Sequence, residues 1–222
     1  IFKFPTAIAI GTDLLYAAIT KSVGVISHSR LGNIEWKIVK NLMLGSIPAS
    51  FLMTYYLKGI DLYAYENVKM INFSLGIALV LTSFAVILQP LISKKSSVRR
   101  TRAAINTTIL TVLLGLSLGV LVTLTSVGAG AMGVTALLLL YPQMSIKKIV
   151  GTDIAHAVPL TLFAGLGHLN LGTVNAYLLL SLLIGSIPGI SLGSHLSSKI
   201  DEKWLRYILA IVLLIVGIQL TR

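Results

Sequence analysis

Long apolar runs separated by short polar stretches organise this chain. Residues 6–27, 37–58, 69–92 and 204–220 carry few charges, and Ala103–Ile146 and Ile154–Ser198 contain no Asp, Glu, Lys or Arg. One helical crossing of a bilayer takes roughly 20 apolar residues, so each charge-free stretch predicts two legs. The second has its turn at His168-Leu-Asn-Leu-Gly-Thr173, and the first has a Gly-rich break at Ser126–Gly133. All the runs predict helices. Only helices or closed barrels satisfy the backbone in lipid, and no ten-residue alternation of a membrane strand is present.

Composition agrees. Mean hydropathy is +0.91 and 11% of residues are charged, against about 25% in soluble domains, which excludes a water-soluble globular fold. The formal charge is +11, which in a soluble protein would suggest nucleic acid. Here the cations flank apolar runs, where cytoplasmic loops collect Lys and Arg. The run Lys94–Arg102 therefore reads as a topology anchor that also attracts anionic lipid. Cysteine is absent, so disulfides and Cys metal sites are excluded.

The chain repeats itself. Gly11-Thr12-Asp13 recurs as Gly151-Thr152-Asp153. At the same offset of 140 and without a gap, His28 falls on His168, Gly32 on Gly172, and Gly45-Ser-Ile-Pro48 on Gly185-Ser-Ile-Pro188; twelve of the 40 positions from 11 to 50 are identical. The expected organisation is a first transmembrane repeat at 1–92, a basic cytoplasmic linker at 93–103 and a second repeat at 104–222. The second copy carries its Gly-rich break before Gly-Thr-Asp, and subtracting 140 puts the matching segment before residue 1. The first repeat is thus expected to be truncated at its N-terminus. A two-legged hairpin at 103–146 makes the copies inverted and places twelve cations inside against four outside. A crossing plus a re-entrant loop makes them parallel and gives eight against eight. The positive-inside rule favours inversion, an architecture common among secondary transporters.

Several residues could carry chemistry. Gly128, Gly130 and Gly133 interrupt an apolar helix and free backbone groups at membrane depth, and the following helix would present N–H donors to an anion. Thr125 and Ser126 add hydroxyls. Close helix packing through small residues is the competing reading. Gly-Thr-Asp is expected to open a helix in each copy. Thr12, Thr152 and the two acids then serve as caps, or Asp13 and Asp153 act as proton carriers near the substrate path, with Thr12 and Thr152 as substrate contacts. Asp153 and His156 share a helix face at a spacing of three. Lys21, deep in an apolar helix, contacts substrate, pairs with Asp13 or snorkels. His28 and His168 close helices before Gly turns. Pro48 and Pro188 are expected to kink theirs.

The Gly-rich run, Val150-Gly-Thr-Asp-Ile154, Ala164-Gly-Leu-Gly-His168 and Gly185-Ser-Ile-Pro-Gly189, with Gly11-Thr-Asp-Leu-Leu-Tyr16, Thr20-Lys-Ser22 and Gly45-Ser-Ile-Pro48, resemble the sulfite exporter TauE/SafE family over essentially the whole chain. Members commonly carry Gly-Gly-Gly followed by Val/Thr-Pro, whereas this chain has Gly-Ala-Gly-Ala-Met-Gly. The resemblance implies movement of small sulfur oxyanions or organosulfonates across the cytoplasmic membrane.

The expectation is an all-α polytopic secondary transporter of two repeats. It would be proton-coupled through Asp13, Asp153 and His156, and would bind its anion at Lys21, Thr125, Ser126 and the glycines. The rivals are an uncoupled anion channel and a membrane-embedded cofactor-binding subunit. No P-loop, HEXXH or Ser-His-Asp pattern occurs, so no enzymatic activity, metal or cofactor is expected. Expected partners are a small anion, the lipid bilayer and a second copy in a homodimer, with no nucleic acid.

Overall fold

The computed structural model describes residues 4–96, 107–197 and 201–221, with side chains omitted at 93–96, 187, 190–197 and 202. The described residues form eight helices: α1 (Thr6–Arg30), α2 (Trp36–Lys58), α3 (Tyr65–Ser96), α4 (Thr107–Thr125), α5 (Ala131–Leu140), α6 (Ile146–Asn170), α7 (Ala176–Ser197) and α8 (Glu202–Leu220). Five of them, α1, α3, α4, α6 and α8, are long and apolar enough to cross a bilayer. Leu44, Phe51, Leu52, Leu113, Ile211 and Ile215 lie exposed on the outside of the bundle, as lipid-facing side chains must. Of the basic run, Arg99, Arg100 and Arg102 lie outside the described residues.

The helix boundaries correct one expectation. Gly-Thr-Asp does not open α1 or α6. The helices begin five residues earlier, at Thr6 and Ile146, and α6 is capped by the Ser145 hydroxyl, which accepts from the Lys148 N–H at 3.3 Å. Both triplets therefore lie in the second turn, where their small residues face a neighbouring helix.

Those neighbours are exchanged. A side chain at Gly11 would meet the Thr173 carbonyl and Cβ of His168, and one at Gly151 would meet the Asn33 carbonyl and Nδ1 of His28. The Thr12 hydroxyl accepts the Asn175 N–H at 3.0 Å, and the Thr152 hydroxyl accepts the Glu35 N–H at 3.0 Å. Each contact maps onto its counterpart at an offset of 140. The N-terminal end of α1 thus packs beside the C-terminal end of α6 and the converse, so the two helices run antiparallel. Both are followed by a glycine of positive φ, Gly32 at 64° and Gly172 at 71°.

Glycine also sets the other large interface, between α2 and α4. A Cβ at Gly45 would strike the Val112 carbonyl, one at Gly115 the Leu42 carbonyl, and one at Gly119 the Ser46 carbonyl. The backbones approach closely because nothing stands between them, the packing mode expected where lipid offers no hydrophobic drive to associate. α2 runs as one helix through Pro48, and α7 through Pro188.

Candidate functional site

The site is built where the chain between α4 and α5 stops being helical. Its residues take backbone angles that exclude most side chains: Ser126 has φ 58°, Gly128 φ 126° and Gly130 φ 138°. The last lies where essentially only glycine goes, which explains its place at the N-cap of α5. Tyr141, just beyond α5, has its hydroxyl 2.6 Å from that of Thr111 in the first turns of α4. α5 therefore returns the chain toward the end from which α4 set out. At 1.5 Å per residue, α4 is about 28 Å long and α5 about 15 Å, half of a hydrocarbon core of about 30 Å.

Breaking the helix leaves donors over. Ser126 N–H reaches the Val122 carbonyl, Val127 N–H the Thr125 hydroxyl, Gly133 N–H the Gly128 carbonyl and Val134 N–H the Gly130 carbonyl. Among the described residues, the N–H groups of Gly128, Ala129, Gly130, Ala131 and Met132 have no acceptor. Such groups cost several kcal/mol each in lipid unless they face protein, water or a ligand. A cavity of about 550 Å³ bounded by Val86, Gln89, Ala131, Val134, Leu205 and Arg206 reaches the first turn of α5.

Charged side chains gather around this break from α1 and α6. Lys21 Nζ donates to the Ala129 carbonyl at 3.0 Å, and the Ser126 hydroxyl donates to Asp13 Oδ2 at 2.7 Å. Both Asp13 and Asp153 are near enough to Lys21 to act on its charge, but neither forms an ion pair with it within 4.0 Å. Asp153 is 2% exposed and packs on Gly133, where any Cβ would collide with its Oδ1. That oxygen has no hydrogen-bond partner. His156, one turn further along α6, sits with Nε2 2.9 Å from the buried Ser46 hydroxyl of α2, while its Nδ1 has none.

Of the residues singled out in the sequence, Lys21, Asp13, Ser126, Gly128, Gly130, Gly133 and Asp153 come together at the break, with His156 adjacent. Thr125 caps the end of α4 instead. Its hydroxyl donates to the Leu121 carbonyl at 2.6 Å and accepts the Val127 N–H at 3.1 Å. The Thr12 and Thr152 hydroxyls turn instead to the chain that follows α6 and α1, accepting the Asn175 and Glu35 N–H groups. His168 is buried among hydroxyl and backbone groups, its Nε2–H donating to the Thr123 carbonyl at 2.9 Å and its Nδ1 2.8 Å from the Thr173 hydroxyl. Ser46, which meets His156, is marked in the sequence only by the recurrence of Gly-Ser-Ile-Pro. No cluster of three or more His, Asp or Glu able to hold a metal occurs among the described residues.

A family model described as Sulfite exporter TauE/SafE matches residues 1–220. Among curated proteins, the chain is 38% identical over 216 residues to "Probable membrane transporter protein YjnA" of Bacillus subtilis (strain 168), covering 96% of this chain and 85% of that one. It is 26% identical over 220 residues to "Probable membrane transporter protein YdhB" of the same organism, covering 99% and 86%. No solved structure matches.

Proposed function

The chain belongs to the Sulfite exporter TauE/SafE family, and we propose that this membrane transporter is a proton-coupled carrier of small sulfur-containing anions, such as sulfite or sulfonates, across the cytoplasmic membrane. The observation that carries the reading is the run of acceptor-free N–H groups from Gly128 to Met132, closed by the Lys21 ammonium at Ala129. A helix start with free amides and a nearby cation is the arrangement that holds a small oxyanion. An oxyanion's several acceptor oxygens match several convergent donors.

Proton coupling is assigned to Asp13 and Asp153, the acids at the break, and to His156 beside them. Alternating access follows from two inverted repeats that rock against each other. The exchanged contacts of Thr12 with Asn175 and Thr152 with Glu35 support a twofold relation between the halves, and their equal offset supports the duplication.

Thermal-shift screening of the purified protein against sulfite, thiosulfate, sulfate, alkyl sulfonates and carboxylates, followed by uptake into proteoliposomes, tests the reading. Stabilisation by sulfur anions and uptake driven by a pH gradient are expected. Uptake indifferent to that gradient identifies a channel, and no response to any sulfur anion refutes the substrate class.

A further inference from the structure

We propose that the Asp153 carboxylate and the transported anion compete for one seat, the first turn of α5, so that the anion enters only when Asp153 is protonated and one proton moves with each anion. This rests on the transporter reading above and adds to it the order and stoichiometry of coupling.

The geometry is specific. Gly133 is the third residue of α5, and its missing side chain is the space in which Asp153 Oδ1 lies. That oxygen is buried and makes no hydrogen bond, an arrangement native proteins rarely leave unexplained. Two features offset the buried charge: the positive end of α5, equivalent to about half a unit charge, and Lys21, whose field reaches Asp153. Lys21 spends its hydrogen bond on Ala129 at that same helix end rather than on a carboxylate. An oxyanion settling on the amides of Gly128–Met132 would need both of those positive partners. Two negative charges in one seat repel, so the internal carboxylate must first be neutralised.

The other charged or titratable groups around Asp153 are few. From α1 come Lys21, Asp13 beyond it, and His28 beside Gly151. The Glu35 N–H at the start of α2 bonds Thr152. α6 itself adds His156, and neither α4 nor α5 contains a titratable residue. His156, on the same face as Asp153 and with one free ring nitrogen, is the adjacent station for the proton. The balance is simple: Asp153 takes one proton on one side of the membrane, the anion fills the vacated positive seat, and both leave on the other side.

Methanesulfonate suits the test because its own charge does not change over the working pH range. With the full chain in liposomes enclosing a pH-sensitive dye, one proton should enter per methanesulfonate. Binding to the wild type should weaken about tenfold per pH unit once Asp153 is ionised. Asp153→Asn should bind methanesulfonate with no such slope and carry it without protons. Anion flux unaccompanied by protons in the wild type, or an unchanged slope in the Asn variant, overturns the proposal. Should the variant not fold, the wild-type ratio decides by itself: one supports competition, zero refutes it. A wild type that binds neither methanesulfonate nor thiosulfate at any pH instead refutes the substrate reading on which the proposal stands.

Discussion

Thr152→Val exchanges one hydroxyl for a methyl group and leaves the shape of the side chain nearly unchanged. The lost oxygen accepts the Glu35 N–H at 3.0 Å and donates to the Lys148 carbonyl at 2.6 Å. A side-chain hydrogen bond between membrane helices averages about 0.6 kcal/mol and reaches about 1.7. Stranding a backbone donor raises the loss, to about 1–3 kcal/mol when no water replaces the acceptor. Glu35 stands at a helix start near the end of the bundle, so about 1–2 kcal/mol is expected. Thr12→Val should cost a similar amount through the Asn175 N–H. The two joints lie at opposite ends of α1, roughly 25 Å apart at 1.5 Å per residue, and distant sites add. The double variant should therefore lose about 2–4 kcal/mol. Unfolding by SDS titration in mixed micelles, followed by circular dichroism, measures each value, and Thr152→Ser should recover most of the loss. Valine variants as stable as wild type, or a serine variant as weak as valine, would refute the claim that these hydroxyls tie α1 and α6 to the loops.

Three further outcomes are expected. Lys21→Ala should weaken anion affinity by roughly 10- to 100-fold, the worth of a charge-assisted contact of about 1.5–3 kcal/mol. Unchanged affinity in a titration calorimeter would make Lys21 purely structural. Gly130→Ala forces a Cβ into φ 138° at a cost of about 1–3 kcal/mol, so SDS unfolding at wild-type stability would contradict the backbone described for the break. Gly119→Leu drives a side chain against the Ser46 carbonyl and should cost upward of about 1–3 kcal/mol through overpacking. Intact yield and thermal stability in detergent would show that α2 and α4 are not packed backbone to backbone.

Much of the membrane fold was legible because lipid leaves the backbone few options. The apolar runs located α1, α2, α3 and α8 to within a few residues, and three glycines in six residues located the break between α4 and α5. Helix starts were less legible. Gly-Thr-Asp looked like a cap, but the structure uses Ser145, and the triplet's small residues serve a close crossing instead. Lone hydroxyls in apolar helices were also ambiguous. Thr161 merely bonds back to the Ala157 carbonyl at 2.8 Å, whereas Ser46 reaches His156 and the Thr123 hydroxyl donates to Ser50 at 2.9 Å. Nothing local distinguishes those cases, because the difference lies in which helix stands opposite.

Hydropathy, glycine spacing and the 140-residue recurrence by themselves determined that this is a helical membrane protein with an interrupted span and matching stretches of sequence. These are properties of single segments, set by what each must satisfy when surrounded by hydrocarbon. Tertiary structure decided the rest: that Thr12 and Thr152 hold the neighbouring loops, that Lys21 closes on Ala129, and that Asp153 lies against Gly133. Residues from helices remote in sequence meet there only because glycines at the crossings let the helix backbones approach, and distance between helices is not written in any one of them.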